Sequence, residues 1–160
     1  MLPQTIRALL STQIRKDYAT MKLNTYLNYG GNCAEAFHFY ETHLGAKLLG
    51  MMTWAQMPDA DKHTPPGYEN AILHARMQLA DTLVMASDVP KDMFQPMRSV
   101  YLSLSVDSDE EAERIYALLA DGGEVYMKMG STFFAHRFGQ LRDKFGTSWM
   151  IIHKRPMPSA

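Results

Sequence analysis

The sequence predicts an α+β fold in which two strand-helix-strand-strand-strand (βαβββ) modules form a cupped mixed sheet. Each half of the chain contains an alternating segment, a helical segment and three more alternating segments. One face of the alternating segments is apolar, while the other carries Tyr, Ser, His, Asn and Arg, as expected where a helix covers one face and the other lines a cleft. Three consecutive strands after each helix favour this arrangement over a ferredoxin-like sandwich.

The first module begins with a strand from Leu23 to Tyr29, which Gly30-Gly31 ends. Asn32 is the predicted N-cap of the helix that follows, and Glu35 lies three residues later, as in a capping box. Gly45 is the predicted helix stop. The apolar stripe of this helix consists of Cys33, Phe37, Tyr40 and Leu44.

Three further strands complete the first module. The first spans Ala46 to Trp54, and the prolines of the segment Ala55 to Asn70 predict a long loop after it. Ala71 to Leu79 alternates, and a turn at Ala80-Asp81 leads into a strand from Thr82 to Ser87. The order in this module is therefore strand, helix and three strands.

The second module repeats this order. A strand runs from Val100 to Val106, Ser108 caps a helix, and Gly122-Gly123 ends that helix. The predicted strands after it are Glu124 to Met129, Thr132 to Leu141 and Thr147 to Lys154. The chain thus reads as a weak internal duplication, with modules at about residues 22–88 and 98–154 in one domain of residues 22–155. Residues 1–21 are predicted to be a flexible lead-in.

Composition excludes several classes of partner. A chain of 160 residues with a formal charge of −1 has no basic surplus for nucleic acid, and no Lys/Arg cluster is interleaved with aromatic residues. No apolar run approaches the roughly 20 residues of a membrane span. The single cysteine, Cys33, has no partner for an internal disulfide, so we expect a reducing, cytoplasmic compartment.

Three motifs carry a resemblance to a known family. They are Gly-Asn-Cys-x-Glu-Ala at residues 31–36, the strand pair His74-Ala75, and Phe-Gly-x-x-x-Asp-Lys-Phe-Gly-x-x-Trp at residues 138–149. Together they closely resemble PhnB-like proteins of the vicinal oxygen chelate superfamily, which includes glyoxalase I, bleomycin-resistance proteins and extradiol dioxygenases. The resemblance implies two βαβββ modules, a cleft that takes a small molecule, and a homodimer.

The resemblance also bears on metal binding. Metal-using members of the superfamily place His or Gln on the first strand of each module and Glu on the last. Here the first-strand positions hold Tyr26 (or Thr25) and Tyr101, and the last-strand positions hold Met85 and Met150. Phenol and thioether are poor ligands for Ni, Zn, Mn or Fe(II), so we predict no cofactor and no metal at the usual site.

The expected function is therefore the binding of a small organic ligand in the cleft. The candidate pocket residues are Tyr26, Trp54, His74, Arg76, Met85, Tyr101, Phe134, His136, Trp149 and Met150. Alternation places Phe134, His136 and Phe138 on one strand face. Two alternatives stay open: a metal-dependent lyase, isomerase or oxygenase that uses His74 and His136, and a structural protein whose cleft is filled by its own side chains.

Other candidates favour structural interpretations. Asp143 is expected to bond backbone amides at a turn, and Arg137 to have no direct role in binding. Cys33 is expected to be buried rather than reactive, although the helix dipole would lower a thiol pKa there. Relatives also carry the family name 3-demethylubiquinone methyltransferase, but the chain lacks a Gly-rich strand-to-helix loop typical of nucleotide-cofactor or methyl-donor sites.

Overall fold

A computed structural model describes residues 22–156 of the protein, so the predicted lead-in lies outside the described residues. The first half contains the strand β1 (Thr25–Tyr29), the helix α1 (Cys33–Leu44), β2 (Lys47–Thr53), a 3-10 turn (Trp54–Gln56), α2 (Ala60–His63), β3 (Ile72–Leu79) and β4 (Thr82–Asp88). The second half contains β5 (Leu102–Ser105), α3 (Asp109–Ala120), β6 (Glu124–Gly130), β7 (Ala135–Arg142) and β8 (Ser148–Lys154).

The strands form two four-stranded mixed sheets of the same design. Their orders are β1-β4-β3-β2 and β5-β8-β7-β6, so the two βαβββ modules are confirmed. In each sheet the first strand of the module pairs in parallel with its last strand, and the other neighbours are antiparallel. The helix α1 packs on β2, β3 and β4, whereas α3 packs on β6, β7 and β8. Each sheet therefore has one face under a helix and one open face.

The helix α1 begins and ends for different reasons. Gly45 ends it in the left-handed conformation at φ 68°, as predicted. The predicted capping box at its start is wrong, because Asn32 makes no capping hydrogen bond and its Nδ2 instead donates to the carbonyl of Phe145. The cap comes from Asp88 at the end of β4, whose Oδ1 accepts from the amides of Gly31 and Cys33.

The helix α3 starts as the sequence predicts. The hydroxyl of Ser108 accepts a hydrogen bond from the amide of Glu111, 3.1 Å away. The predicted loop from Ala55 to Asn70 is also largely irregular, with only a 3-10 turn and the short helix α2 in it. Within the described residues, no helix has the length and apolar character that crossing a membrane would require.

The hydrophobic core joins the two modules. Leu27 and Tyr29 of β1, Phe37 and Tyr40 of α1, and Trp149 of β8 belong to one cluster of buried side chains. The rings of Tyr40 and Trp149 meet at 5.3 Å between centroids. The modules are thus held together on their helix-facing sides, which leaves the opposite sheet faces to solvent.

Candidate functional site

The open face of the first sheet brings together four of the predicted pocket residues. Tyr26 of β1 lies opposite Met85 of β4, and Met85 lies opposite Arg76 of β3. His74 lies two residues before Arg76, on the same face. These side chains come from three adjacent strands, so the sheet itself fixes their spacing.

The Tyr26 and His74 side chains form a polar pair at this face. The phenol oxygen lies 3.3 Å from His74 Nδ1, and the rings stack with 5.9 Å between centroids. Tyr26 keeps 48% of its surface exposed. The pair is therefore held in one arrangement and still accessible to a ligand.

Arg76 is exposed and stands on an interior strand of the sheet. Within residues 22–156 its guanidinium makes no ion pair or hydrogen bond, unlike the guanidinium groups of Arg114, Arg137, Arg142 and Arg155. Its neighbour on β2 is Gly50. A Cβ added at Gly50 would meet no atom within 4 Å, so there is open space beside Arg76.

The second sheet corrects one predicted position. Met150 of β8 lies opposite Ser103 of β5, just as Met85 lies opposite Tyr26. The counterpart of Tyr26 is therefore Ser103, and the prediction of Tyr101 was two residues off. Comparing the two parallel strand pairs would have identified Ser103, but that register is set by pairing rather than by the alternation of one strand.

Tyr101 instead lies just before β5, between two small cavities. One cavity, of about 350 Å³, is lined by Tyr101, Tyr126, Arg142 and Ser148 among others. The other, of about 210 Å³, lies between the modules and includes Thr25, Ser103 and Trp149. Tyr101 and Tyr126 meet edge to face at 6.3 Å. Tyr101 thus remains accessible to a ligand, although it does not occupy the strand position that was assigned to it.

His136 does not share a face with the phenylalanines beside it. The register of β7 shifts between Ala135 and Arg137, and the ring of His136 lies 4.8 Å from that of His153, on the side of α3. Phe134 and Phe138 contact each other at 5.2 Å, as predicted. The expected common face was wrong because a β-bulge rotates the chain by one position, which strict alternation does not anticipate.

His153 belongs to a charged cluster at the start of α3 that the sequence did not reveal. Its Nδ1 lies 2.7 Å from Asp109 Oδ1, and this hydrogen bond is the main reason that the pKa of Asp109 is lowered. Arg137 pairs with Asp109 and with Glu113. Arg137 therefore ties β7 to α3, in agreement with the structural interpretation.

Trp149 is a core residue rather than an open pocket wall, with 1% of its surface exposed. Its Nε1 donates to Asp143 Oδ2 over 2.8 Å, and Tyr40 Oη donates to the same oxygen over 2.6 Å. The other oxygen, Oδ1, accepts from the amides of Phe145 and Thr147. Asp143 thus bonds turn amides as expected, and it also links the two modules.

Burial is the main influence on the pKa values of the ionisable groups at the junction between the two modules, around Asp143. Burial raises the pKa of Asp143, which the four hydrogen bonds oppose. Burial likewise raises the pKa of the Tyr29 and Tyr40 phenols. It also raises the pKa of the Cys33 thiol, with a smaller contribution from the charge of Asp88. Cys33 is therefore a buried thiol, as predicted.

One predicted pocket residue lies at the margin of the first sheet. Trp54 follows β2 in the 3-10 turn, and its buried indole Nε1 has no hydrogen-bond partner among the described residues. A larger cavity than those beside Tyr101, of about 660 Å³, is not on an open sheet face. It lies at the junction, between Gly30-Gly31, Phe94 and the hairpin from Arg142 to Gly146. The predicted cleft and this cavity are thus different places.

The usual metal positions of this fold hold unsuitable donors. The facing pairs are Tyr26 with Met85 and Ser103 with Met150, which offer a phenol, a hydroxyl and two thioethers. Within residues 22–156, no three His, Cys, Asp or Glu side chains lie close enough to hold an ion. No hydrogen bond or ring contact joins His74 to His136 in that part of the chain.

Comparison with known proteins gives concordant matches along nearly the whole described segment. A family model described as 3-demethylubiquinone-9 3-methyltransferase matches residues 21–152. Protein YjdN of Escherichia coli strain K12 is 34% identical over 146 residues, which cover 87% of this chain and 99% of YjdN.

Solved structures agree with this match. Protein PA1353 from Pseudomonas aeruginosa is 36% identical with a TM-score of 0.76, and the match covers 86% of this chain and 100% of PA1353. The PhnB protein from Bacillus cereus is 28% identical with a TM-score of 0.69, over 83% and 99% of the two chains. A glyoxylase/bleomycin resistance protein/dioxygenase domain from Frankia is similar in fold alone, at 16% identity, a TM-score of 0.55 and coverage of 85% and 98%.

Proposed function

Since this chain belongs to the 3-demethylubiquinone-9 3-methyltransferase family of PhnB-like proteins, within the vicinal oxygen chelate superfamily, we propose that it binds a small organic ligand on its open sheet face without a divalent ion. The observation that carries this proposal is the accessible Tyr26 and His74 pair beside Arg76 and Met85. These groups provide hydrogen bonding, charge and apolar contact at one place, which a small-molecule site requires.

The donor set supports binding without a metal. Divalent ions of the kind used for ring cleavage or isomerisation prefer imidazole and carboxylate ligands. Tyr26, Met85, Ser103 and Met150 supply neither. The ligand is therefore held by the side chains themselves, and we derive no metal-dependent step.

The activity in the family's name is not part of the proposal. A helix start that follows a glycine pair could offer its free amides to a cofactor. At the start of α1, however, the amides of Gly31 and Cys33 already donate to the carboxylate of Asp88. This helix start is occupied by the protein's own anion, which argues against a methyl-donor site there.

The proposal includes a homodimer in the cytoplasm. Support for self-association comes from the edge strand β6, on which Val125, Tyr126 and Met127 are each more than 40% exposed. Support for the compartment comes from the single, buried Cys33. Light scattering after size exclusion tests the first point, since a mass of one chain at micromolar concentration would contradict it.

A screen of small organic molecules by ¹H–¹⁵N NMR tests the proposed site. Shifts should concentrate on β1, β3 and β4, and Tyr26→Ala should weaken binding at least tenfold. Met93→Ala is the control, because Met93 is 67% exposed in the linker between the modules. Binders that shift only residues outside the first sheet would contradict the assignment.

Elemental analysis of the same protein tests the metal-free part. Purification without chelators should yield far less than one divalent ion per chain, and added Zn²⁺ or Ni²⁺ should leave the spectra of β1, β4, β5 and β8 unchanged. A stoichiometric ion that shifts the resonances of Tyr26 and Ser103 together would overturn the proposal of a metal-free site.

A further inference from the structure

We propose that the ligand of the open face is a small organic anion whose carboxylate or phosphate oxygens bind the guanidinium of Arg76. This inference rests on the proposed function and deepens it, because it assigns the chemical class of the ligand.

The open face of the first sheet carries an uncompensated positive charge. Three cross-strand rows lie on this face: Tyr26, Met85, Arg76 and Gly50 in the first, the pairs Asn28 with Ser87 and His74 with Met52 in the second, and Leu83, Gln78 and Lys47 in the third. None of these rows contains a carboxylate. An arginine without an anionic partner at a fixed place on a sheet is a ready site for a bidentate oxyanion.

Arg76 differs from the other arginines of the described segment. Arg114, Arg137, Arg142 and Arg155 bind oxygen atoms of the protein. Arg98 shares the lack of a partner among residues 22–156, but it is exposed in the linker outside regular structure. Within residues 22–156, only Arg76 combines an unused guanidinium with a position on an interior strand, where the backbone is held by neighbours on both sides.

Gly50 leaves room for the anion. Its φ lies outside the left-handed region, and an added Cβ would meet nothing within 4 Å, so neither backbone conformation nor packing requires glycine there. Most residues at this position of β2 would project a side chain beside Arg76. The glycine instead leaves the guanidinium open on that flank.

The surroundings of Arg76 fit an anion with a small apolar body. Met85 on one side and Met52 in the next row provide polarisable apolar contacts, and Met52 is 37% exposed. The Tyr26 and His74 pair can bond a second polar group of the ligand. The site therefore favours a charged oxygen group at Arg76 and a hydrocarbon or ring over the methionines.

Titration of the full chain with benzoate, benzamide and inorganic phosphate tests this inference. Benzoate and benzamide share their shape and differ in charge, so benzoate should bind at least tenfold more tightly and shift the Arg76 Nε resonance. Phosphate distinguishes the sources of the anion: tighter binding than benzoate assigns a phosphate group, and weaker binding assigns a carboxylate.

Three variants localise the effect. Arg76→Gln should reduce benzoate affinity at least tenfold, and Gly50→Val should do so by filling the space without a change of charge. Lys128→Gln is the matched control, because it removes one exposed charge from the other sheet, and it should change affinity less than twofold.

Several outcomes would overturn the inference. Equal binding of benzamide and benzoate would reject an anion while leaving the proposed function in place, because a ligand would still bind the face. Equal losses of benzoate affinity in Arg76→Gln and Lys128→Gln would indicate that only the overall charge of the protein matters. A lack of any shift at Arg76 with both anions, or dimer dissociation in Arg76→Gln without an effect of anions on the wild type, would assign Arg76 to another role.

Discussion

The junction between the modules and the open face of the first sheet use similar polar side chains in opposite ways. At the junction, Tyr29, Tyr40, Asp143 and Thr147 are buried, and each makes a hydrogen bond to another residue. Among the described residues of the open face, Tyr26 and His74 bond only each other, and Arg76 has no partner within residues 22–156. Satisfied groups stabilise the fold, whereas groups with unused bonding capacity are available to a ligand.

The largest effect is expected at the centre of the junction. Asp143→Asn replaces one acceptor oxygen by an amide that donates, so either the two turn amides or the Tyr40 and Trp149 donors lose their partner. A buried donor without a partner is costly, and the free energy of unfolding should fall by about 3 kcal/mol. Urea unfolding followed by tryptophan fluorescence measures it.

The exposed acid Asp59 provides the control for this substitution. Its carboxylate bonds Lys62 at the surface, and Asp59→Asn should leave the free energy of unfolding within about 0.5 kcal/mol of the wild type. If Asp143→Asn were equally mild, the four hydrogen bonds would contribute little and the contrast between the two regions would lose its basis.

A smaller effect is expected from deleting one hydroxyl group in each region. Tyr40→Phe removes the donor to Asp143 and should lower the free energy of unfolding by about 1–2 kcal/mol. Tyr26→Phe removes the oxygen near His74 at an exposed site and should lower it by less than about 0.5 kcal/mol. Urea unfolding measures both variants, and equal losses of unfolding free energy in Tyr40→Phe and Tyr26→Phe would contradict the assignment of different roles to the two hydroxyl groups.

The sequence predicted the parts of the fold that local chemistry determines. Ser108 caps its helix with its own hydroxyl, and Gly45 adopts the left-handed conformation that few other residues tolerate. Tyr26, His74, Arg76 and Met85 share a face because side chains alternate along regular strands. The resemblance to PhnB-like proteins, carried by motifs in both modules, was confirmed by the family match.

The errors arose where distant segments meet. The sequence predicted Asn32 as the N-cap of α1. The capping carboxylate instead belongs to Asp88, which lies 55 residues after Cys33 and reaches the helix start only through the tertiary fold. Strand pairing set Ser103 opposite Met150, and a bulge turned His136 away. The buried hydrogen bond from Tyr40 to Asp143 joins residues 103 positions apart, so no local sequence pattern predicts it.

The smallest effect is expected at Gly50, where the comparison can be tested by adding a single methyl group. Glycine in a strand loses more backbone entropy on folding than alanine, and the added Cβ meets no atom within 4 Å. Gly50→Ala should therefore leave the free energy of unfolding unchanged or raise it by at most about 0.5 kcal/mol.

Gly139 of β7 is the matched control for Gly50, because it lies in a strand of the other sheet but faces the helix. A Cβ there would come within 2.7 Å of the Tyr116 ring, so Gly139→Ala must displace the ring and should be destabilising by about 1–3 kcal/mol. Urea unfolding of both variants measures the two changes in the free energy of unfolding. A loss above about 1 kcal/mol in Gly50→Ala would mean that the space beside Arg76 is already occupied, because only an occupied space resists a methyl group.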